Sequence, residues 1–263
     1  MNTVLITGAS SGLGRELVRL FAQQDDNLIL VARNREKLHR LKEEISSVSL
    51  SRVWVIEADL SRPETPNEIY EYVRAENLMV DVLVNNAGFG VYGEFLDSDF
   101  TKIAQMYQVN VLSAIHLTRL FLPSMLDGRK GHLVNVSSLG AFFPGPLMAN
   151  YFAAKADLLS FTKALSFEIK GSPVKITAVC PGPFKSGFQQ TTFSHKRNLK
   201  EECRLPSPQK IAREVFHGIL QKRPLVIPGI TNRVIYWLSR FFPEQFVLQC
   251  VFQSHRRIRH SSF

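Results

Sequence analysis

Short, almost continuously apolar runs alternate along this chain with stretches of helical length, and that alternation leaves few folds open. "TVLIT" (3–7), "NLILVA" (27–32), "RVWVIEA" (52–58), "VDVLVN" (80–85), "GHLVNVS" (131–137) and "VKITAV" (174–179) have the length of strands. In a half-exposed sheet every second residue would be polar, so runs this apolar belong to strands covered on both faces. The stretches between them, 12–24, 34–46, 64–77, 98–126 and 148–170, supply the covering helices. Regular β-α alternation predicts an α/β fold, one doubly wound parallel sheet with helices on both faces. A helix over about 207–222 and the run "PLVIP" (224–228) add a seventh strand. Nothing divides residues 1–229, which read as a single domain large enough to bury a sizeable core. Two segments break the rhythm. Residues 183–208 carry three prolines and no period, the pattern of a long functional connection. Residues 230–263 follow the last strand and form an extension outside any β-α unit.

Composition narrows the class. Hydrophobic residues make up 45% and charged residues 21%, ordinary values for a soluble globular protein. Cys180, Cys203 and Cys250 are odd in number and far apart, which argues against a disulfide framework or a zinc site and for a reducing, cytoplasmic setting. The first apolar run leads straight into Thr7-Gly8, so the fold is expected to begin at the N-terminus with no signal peptide. The net charge of +9 raises the question of nucleic acid, but the basic residues are scattered. The densest cluster, "HRRIRH" (255–260), reads as a solvated tail, and no nucleic-acid partner is expected.

The first strand-to-helix junction carries "TGASSGLGR" (7–15). Gly8, Gly12 and Gly14 let the turn tighten, let backbone approach a phosphate, and let the helix pack close to the strand. The helix N-terminus then offers free N–H groups to a pyrophosphate. The spacing is Gly-x-x-x-Gly-x-Gly, still a Rossmann-like dinucleotide signature by its place in the fold. After the second strand, where NAD enzymes usually place a carboxylate for the ribose 2′-hydroxyl, the sequence has Ala32 and Arg33. A guanidinium there suits a 2′-phosphate, so NADP(H) is the expected cofactor and NAD(H) the alternative. Asp59, in "EADLS", is placed either to accept from the adenine amino group or to cap the next helix.

"ANYFAAKAD" (149–157) sets Tyr151 and Lys155 four residues apart. In a helix both leave the same face, and an ammonium beside a phenol favours the ionised phenol. With "NNAG" (85–88), Asn110 in "YQVNVLSA", Ser138 in "VNVSSLGAFFPG" and "CPGPFKSGF" (180–188), the sequence resembles the short-chain dehydrogenase/reductase family over about residues 2–228. The resemblance implies an oxidoreductase with Tyr151 as general acid and base and Lys155 lowering its pKa while holding the nicotinamide ribose. It implies that Ser138 fixes the substrate oxygen and that Asn110 binds a water of a proton relay. It further implies cofactor contacts from Ser10, Ser11, Leu13, Leu60, Asn86, Ala87, Gly88, Pro181, Gly182 and Ser186. Ser186 stands where the family commonly has threonine, and it keeps the hydroxyl for the carboxamide.

The substrate side is expected to be apolar, from Phe89, Phe142, Phe143, Leu147, Met148, Phe184 and Phe188, which suits a lipid-like, steroid-like or aromatic carbonyl or alcohol. His195, Lys196, Arg197 and Lys200 either meet an anionic group or belong to a solvated loop. The alternatives are an NAD-linked alcohol dehydrogenase and a dinucleotide-binding sensor or scaffold without turnover. The helices at 98–126 and 148–170 are expected to form a homodimer or homotetramer contact, since Ile103, Met106, Tyr107, Leu117, Leu120 and Phe121 exceed what one sheet face needs. In 230–252, Val234, Trp237, Leu238 and Phe241 recur at helical spacing beside Arg233 and Arg240. Arg233, Arg240, Pro243 and Glu244 interrupt the run well short of a membrane span. Such a stripe more commonly packs on the protein body or a partner subunit as a lid; the other reading is peripheral contact with an anionic membrane, aided by Arg256, Arg257 and Arg259.

Overall fold

The apolar runs become strands buried from both sides. Among the residues described by the computed structural model, 1–192 and 205–260, seven strands pair in parallel. These are β1 (Thr3–Thr7), β2 (Asn27–Ala32), β3 (Val53–Glu57), β4 (Val82–Asn85), β5 (His132–Val136), β6 (Lys175–Val179) and β7 (Leu225–Val226). Their order is β3-β2-β1-β4-β5-β6-β7, so the sheet changes direction between β1 and β4. Ligands of doubly wound folds bind in the crevice at that point, beyond the carboxyl ends of the strands.

Strand alternation sorts the core into two layers. Val4 and Ile6 of β1 and Leu28 and Leu30 of β2 face α1 (Gly12–Ala22) and α2 (Arg35–Ser46). Leu5, Ile29 and Val31 face α3 (Thr65–Ala75) and, beyond α4 (Phe100–Tyr107), α5 (Ser113–Asp127). Next come α6 (Ala149–Glu168), α7 (Gly187–Thr192) and α8 (Pro208–Leu220), which closes the first layer with Phe216 edge-on to Phe21 at 5.0 Å. Helix starts follow local chemistry: the Asn34 side chain accepts from Lys37 N ahead of α2, and Ser207 accepts from Lys210 N ahead of α8, whose first turn carries Pro208. Leu17 lies fully buried in the first layer, and its truncation to alanine would cost about 2–5 kcal/mol.

The 98–126 stretch is not one helix. A π-helical segment, Gln108–Leu112, separates α4 from α5. The run Phe100–Asp127 is the one stretch of described residues long and apolar enough to cross a membrane, yet Ile103, Met106, Leu117, Phe121 and Met125 lie in the core. That corrects the expectation of a surplus: Ile103, Met106, Leu117 and Phe121 are buried within the subunit, and Tyr107 and Leu120 are half-buried. Phe100 and Leu112 are the large apolar residues this run leaves exposed.

The extension forms α9 (Ile230–Phe241) and α10 (Glu244–His260). It packs on the body through a different face from the expected one. Tyr236 and His255 make the contacts, while Val234, Trp237, Leu238 and Phe241 are exposed.

Candidate active site

The turn after β1 is shaped by what surrounds it. Gly8 has φ +66°, a conformation side chains rarely adopt, and a Cβ there would lie 2.9 Å from Asn86 Nδ2. A Cβ on Gly14 would run into Gly8 O and Asn86 Nδ2. Ser10 is half-buried and Ser11 exposed at the start of α1, where the Ser11 side chain makes no capping bond. The N–H groups of the first turn therefore face an open, polar cradle of the kind an anion fills. The Leu13 side chain is in the core, and so is that of Leu60, whose carbonyl accepts from Ser113 Oγ; only their backbones can face a ligand.

Thr7 joins this turn to the loop after β4 across the switch point. Its Oγ1 accepts from Asn86 N and Ala87 N, both at 3.0 Å, and Asn86 Nδ2 donates to Thr7 O at 2.9 Å. Sequence reasoning missed Thr7, which reads there only as the end of a strand. Ser186, from the loop after β6, comes within 3.5 Å of where a Gly12 Cβ would stand. The Pro181 carbonyl accepts from Leu139 N, and Gly182 is buried against Asn232 of α9. The described cradle thus has three walls, drawn from the ends of β1, β4 and β6.

Arg33 is exposed at the end of β2. The strand partner of Ala32 is Glu57, so a carboxylate stands one strand away from it. Asp59 Oδ1 accepts from Ser61 N at 3.0 Å, a local turn contact ahead of α3, whose N-cap position is Glu64 and carries no side-chain cap.

Beyond β4 and β5 the chemistry-bearing residues converge. The Ser138 hydroxyl faces the Tyr151 phenol closely enough to oppose the rise in its pKa. Ser138 Oγ accepts from Gly140 N at 3.1 Å, which orients the hydroxyl and leaves its own hydrogen for an oxygen in front of it. Lys155 is buried, and its Nζ donates to Val136 O at 3.0 Å. Gly88 brings Lys155 and Asn110 together: a Cβ there would lie 3.2 Å from Lys155 Nζ and 2.7 Å from Asn110 Oδ1. Asn110 sits in the π segment, and its carboxamide is used both ways on Phe89, donating to Phe89 O at 2.8 Å and accepting from Phe89 N at 3.0 Å. Its visible work is to pin the loop after β4. Widened π turns frequently mark functional positions.

The electrostatics correct one expectation. Lys155 was expected to draw the Tyr151 phenol downward. Burial dominates instead and pushes it up to about 12, opposed by the Ser138 hydroxyl. Burial also lowers Lys155, to about 8. Both shifts share one cause, the cost of keeping a charge out of water. Cys180, close by, is pushed up to about 12 by burial and so stays a thiol.

The apolar candidates divide. Phe89 packs beside Tyr151 in a small cluster with Met106, Val111 and Ala154. The Phe188 ring lies 5.2 Å from that of Tyr151, and Met148 and Phe188 both close on Gly90. Phe142 meets Tyr236 of α9 at 4.5 Å, and Phe143 is 6.0 Å from Phe152. Phe184 packs against the core layer of α1 and α8, away from this group. His195, Lys196, Arg197 and Lys200 lie outside the described residues. The extension contributes contacts that no sequence pattern signalled. His255 Nδ1 lies 2.7 Å from Pro146 O, and Tyr92 Oη donates to His255 O at 2.8 Å, tying α10 to the two loops that flank Tyr151.

Comparison with known proteins agrees with this geometry. The family model described as short chain dehydrogenase matches residues 2–197. "Dehydrogenase/reductase SDR family protein 7-like" of Drosophila melanogaster is 28% identical over 250 residues, covering 92% of this chain and 77% of that protein. "Probable oxidoreductase EphD" of Mycobacterium tuberculosis is also 28% identical, and the match covers 92% of this chain but 43% of that longer protein. A solved short-chain dehydrogenase from Sphingobium yanoikuyae, in complex with NADPH, superposes with a TM-score of 0.82 at 26% identity, covering 88% of each chain.

Proposed function

The chain belongs to the short-chain dehydrogenase family and is an oxidoreductase, and on that premise we propose that it transfers a hydride between NADP(H) and a hydrophobic ketone, aldehyde or secondary alcohol. The observation that carries the reading is the meeting of Lys155 and Asn110 at Gly88, with Tyr151 one helical turn from Lys155 and facing Ser138, at the carboxyl ends of β4 and β5. The glycine turn fits a dinucleotide cradle, held tight because Asn86 Nδ2 and the backbone of Gly8 and Ala87 fill the space that side chains at Gly8 and Gly14 would need, with the first turn of α1 left uncapped by the Ser11 side chain. Gly8, Ser10, Ser11, Gly12, Leu13 and Gly14 would hold the pyrophosphate by backbone and hydroxyl; Asp59, Leu60, Asn86, Ala87 and Gly88 the adenine side; Pro181, Gly182 and Ser186 the nicotinamide side.

When bound, the nicotinamide supplies or accepts the hydride and, oxidised, adds positive charge beside the phenol. The protein moves the proton. In reduction, Tyr151 Oη gives its proton to the developing alkoxide, and its raised pKa keeps that proton in place throughout the neutral range. Ser138 donates to the same oxygen and holds it against Tyr151. Lys155 would bind the ribose hydroxyls and, through the relay that Asn110 anchors, bring a proton in from solvent to restore the Tyr151 phenol. In oxidation the steps reverse. Phe89, Phe142, Phe143, Met148 and Phe188 would exclude water from the reacting carbon. A 2′-phosphate is assigned to Arg33 because the guanidinium is exposed at the right strand end.

The same reading expects a homodimer or homotetramer through the π segment, α5 and α6, where Leu112 and Phe167 stay exposed; sedimentation showing a monomer at micromolar concentration would remove it. Cys180 and Cys250, both free, support a reducing, cytoplasmic setting. The deciding experiment is NADPH oxidation with a panel of hydrophobic carbonyls beside a Tyr151→Phe control. Turnover that survives in the control, or no turnover across the panel, counts against the proposal.

A further inference from the structure

The extension has two unlike faces. In α9 the half-buried residues are Asn232, Tyr236 and Ser239. Tyr236 packs on Phe142, and Asn232 lies against Gly182 while donating to Pro228 O at 2.6 Å. At about 100° per residue, Ile230, Val234, Trp237, Leu238 and Phe241 fall on the opposite side, and they are between 48 and 77% exposed. The Trp237 and Phe241 rings stack along that side. At the corner before α10, Phe242 and Phe246 stack at 5.2 Å, and both are exposed, as is Phe252 further on. The inner face of α10 is fixed by His255, through Pro146 O, Tyr92 and the Phe152 ring at 5.6 Å. Anchored from within at both helices, the apolar face cannot roll onto the body without breaking these contacts. Scattered exposed apolar residues need no explanation, but a contiguous aromatic-rich patch does.

Charge selects what covers it. Residues 230–260 contain five arginines, Arg233, Arg240, Arg256, Arg257 and Arg259, against a single acid, Glu244. Arg233 is already paired with Glu214 at 3.1 Å. Arg240 sits on the flank of α9, between the two faces; it is exposed, and its Nη1 donates to Tyr236 Oη at 2.7 Å. A second copy meeting this face about a two-fold axis would set like cations against each other with only Glu244 to answer them. An anionic surface would neutralise them instead. We infer that α9 and the start of α10 dock in the headgroup region of an anionic lipid bilayer, with the aromatic face inserted and the exposed Arg233, Arg240 and Arg256 available to the phosphates. The docked helices are those whose inner faces touch Phe142, Pro146 and Tyr92, so the active-site loops would lie at the lipid surface. This inference is independent of the reaction, because its readout is binding.

The test is flotation of the full chain with phosphatidylcholine vesicles, with and without phosphatidylglycerol, at low and high salt. The protein should float with the phosphatidylglycerol vesicles at low salt, float far less at high salt, and remain behind with pure phosphatidylcholine. A Trp237→Ser/Phe241→Ser protein should bind at least about ten-fold more weakly, with its melting temperature and its turnover of a water-soluble carbonyl unchanged. Three results overturn the inference: no flotation of the native chain at low salt, flotation of the double variant equal to the native chain, or a native oligomer that the double variant dissolves, which would assign the face to a second copy. Should the double variant fail to fold, Trp237 emission in a Trp54→Phe protein decides. A blue shift on adding phosphatidylglycerol vesicles supports docking, and an unchanged spectrum refutes it.

Discussion

Lys155 Nζ lies 6.0 Å from the centroid of the Tyr151 ring, one helical turn along α6, in a setting where burial moves both groups toward their neutral forms. A phenol held near 12 is a proton donor at neutral pH and gives the proton up only to a strongly basic oxygen such as a forming alkoxide. Tyr151→Phe removes that donor and leaves the glycine cradle untouched. The expected outcome is a fall in kcat of about 10²- to 10⁴-fold, with NADPH affinity by fluorescence titration within a few-fold of the native protein. Near-normal turnover would take Tyr151 out of the proton step.

Lys155 carries the pH dependence. Burial lowers it to about 8, so the ammonium is present below that value and is lost as pH rises through it. The cation is the form that favours ionisation of the phenol and binds a ribose by charge-assisted bonds. Because kcat/KM for the cofactor reports groups of the free enzyme, its profile with NADPH is expected to be flat at neutral pH and to fall above pH about 8. Lys155→Arg keeps its charge at every accessible pH and should shift the fall upward, whatever its effect on the plateau. A native profile level to about pH 10 would separate this lysine from cofactor binding.

The sheet and the catalytic group were legible because their determinants are local. A continuous apolar run such as "NLILVA" can satisfy itself only in a strand covered on both sides, and a Tyr-x-x-x-Lys pair needs one helical turn to come together. Asn110 and Ser138 were recognisable by motif, but not the use of the Asn110 carboxamide on the Phe89 backbone. The sign of the Tyr151 shift is not legible in the sequence, because spacing shows a neighbouring charge and does not show burial, which here outweighs it. His255 lies 109 residues from Pro146 and 163 from Tyr92; no period or spacing encodes contacts that distant. The apolar stripe of α9 was visible, but which side of the helix the body would take depended on Tyr236 finding Phe142.

Arg33 is the test of cofactor choice. The guanidinium is exposed at the end of β2, and Glu57 stands on the neighbouring strand. Only NADPH has a 2′-phosphate to meet it. A charge-assisted contact contributes about 1.5–3 kcal/mol, so Arg33→Ala should weaken NADPH roughly ten- to hundred-fold and leave NADH almost unchanged in the same titration. Equal losses for both cofactors would refute the preference.

His132 makes stability depend on pH away from the active site. Its Nε2 lies 2.8 Å from Thr177 Oγ1, and Thr177 Oγ1 itself donates to Arg223 O at 2.7 Å. The threonine hydrogen is therefore spent, and His132 Nε2–H must be the donor, which a neutral imidazole satisfies. Burial, and then the charge of Lys222, lower this histidine from 6.5 to about 4. In the unfolded chain it protonates near 6.5. Between these values the unfolded state binds a proton that the folded state refuses, so stability rises with pH across the window. The contribution is complete above pH about 6.5 and is lost as pH falls toward about 4, amounting to about 3 kcal/mol over the window. His132→Gln keeps an N–H for Thr177 and does not titrate. Urea unfolding at about pH 7.5 and about pH 4.5 should show the native protein losing about 2–3 kcal/mol more than this variant between the two conditions. Equal losses in both proteins would mean that His132 accepts its proton in the folded state, and that the buried pair with Thr177 does not hold the ring neutral.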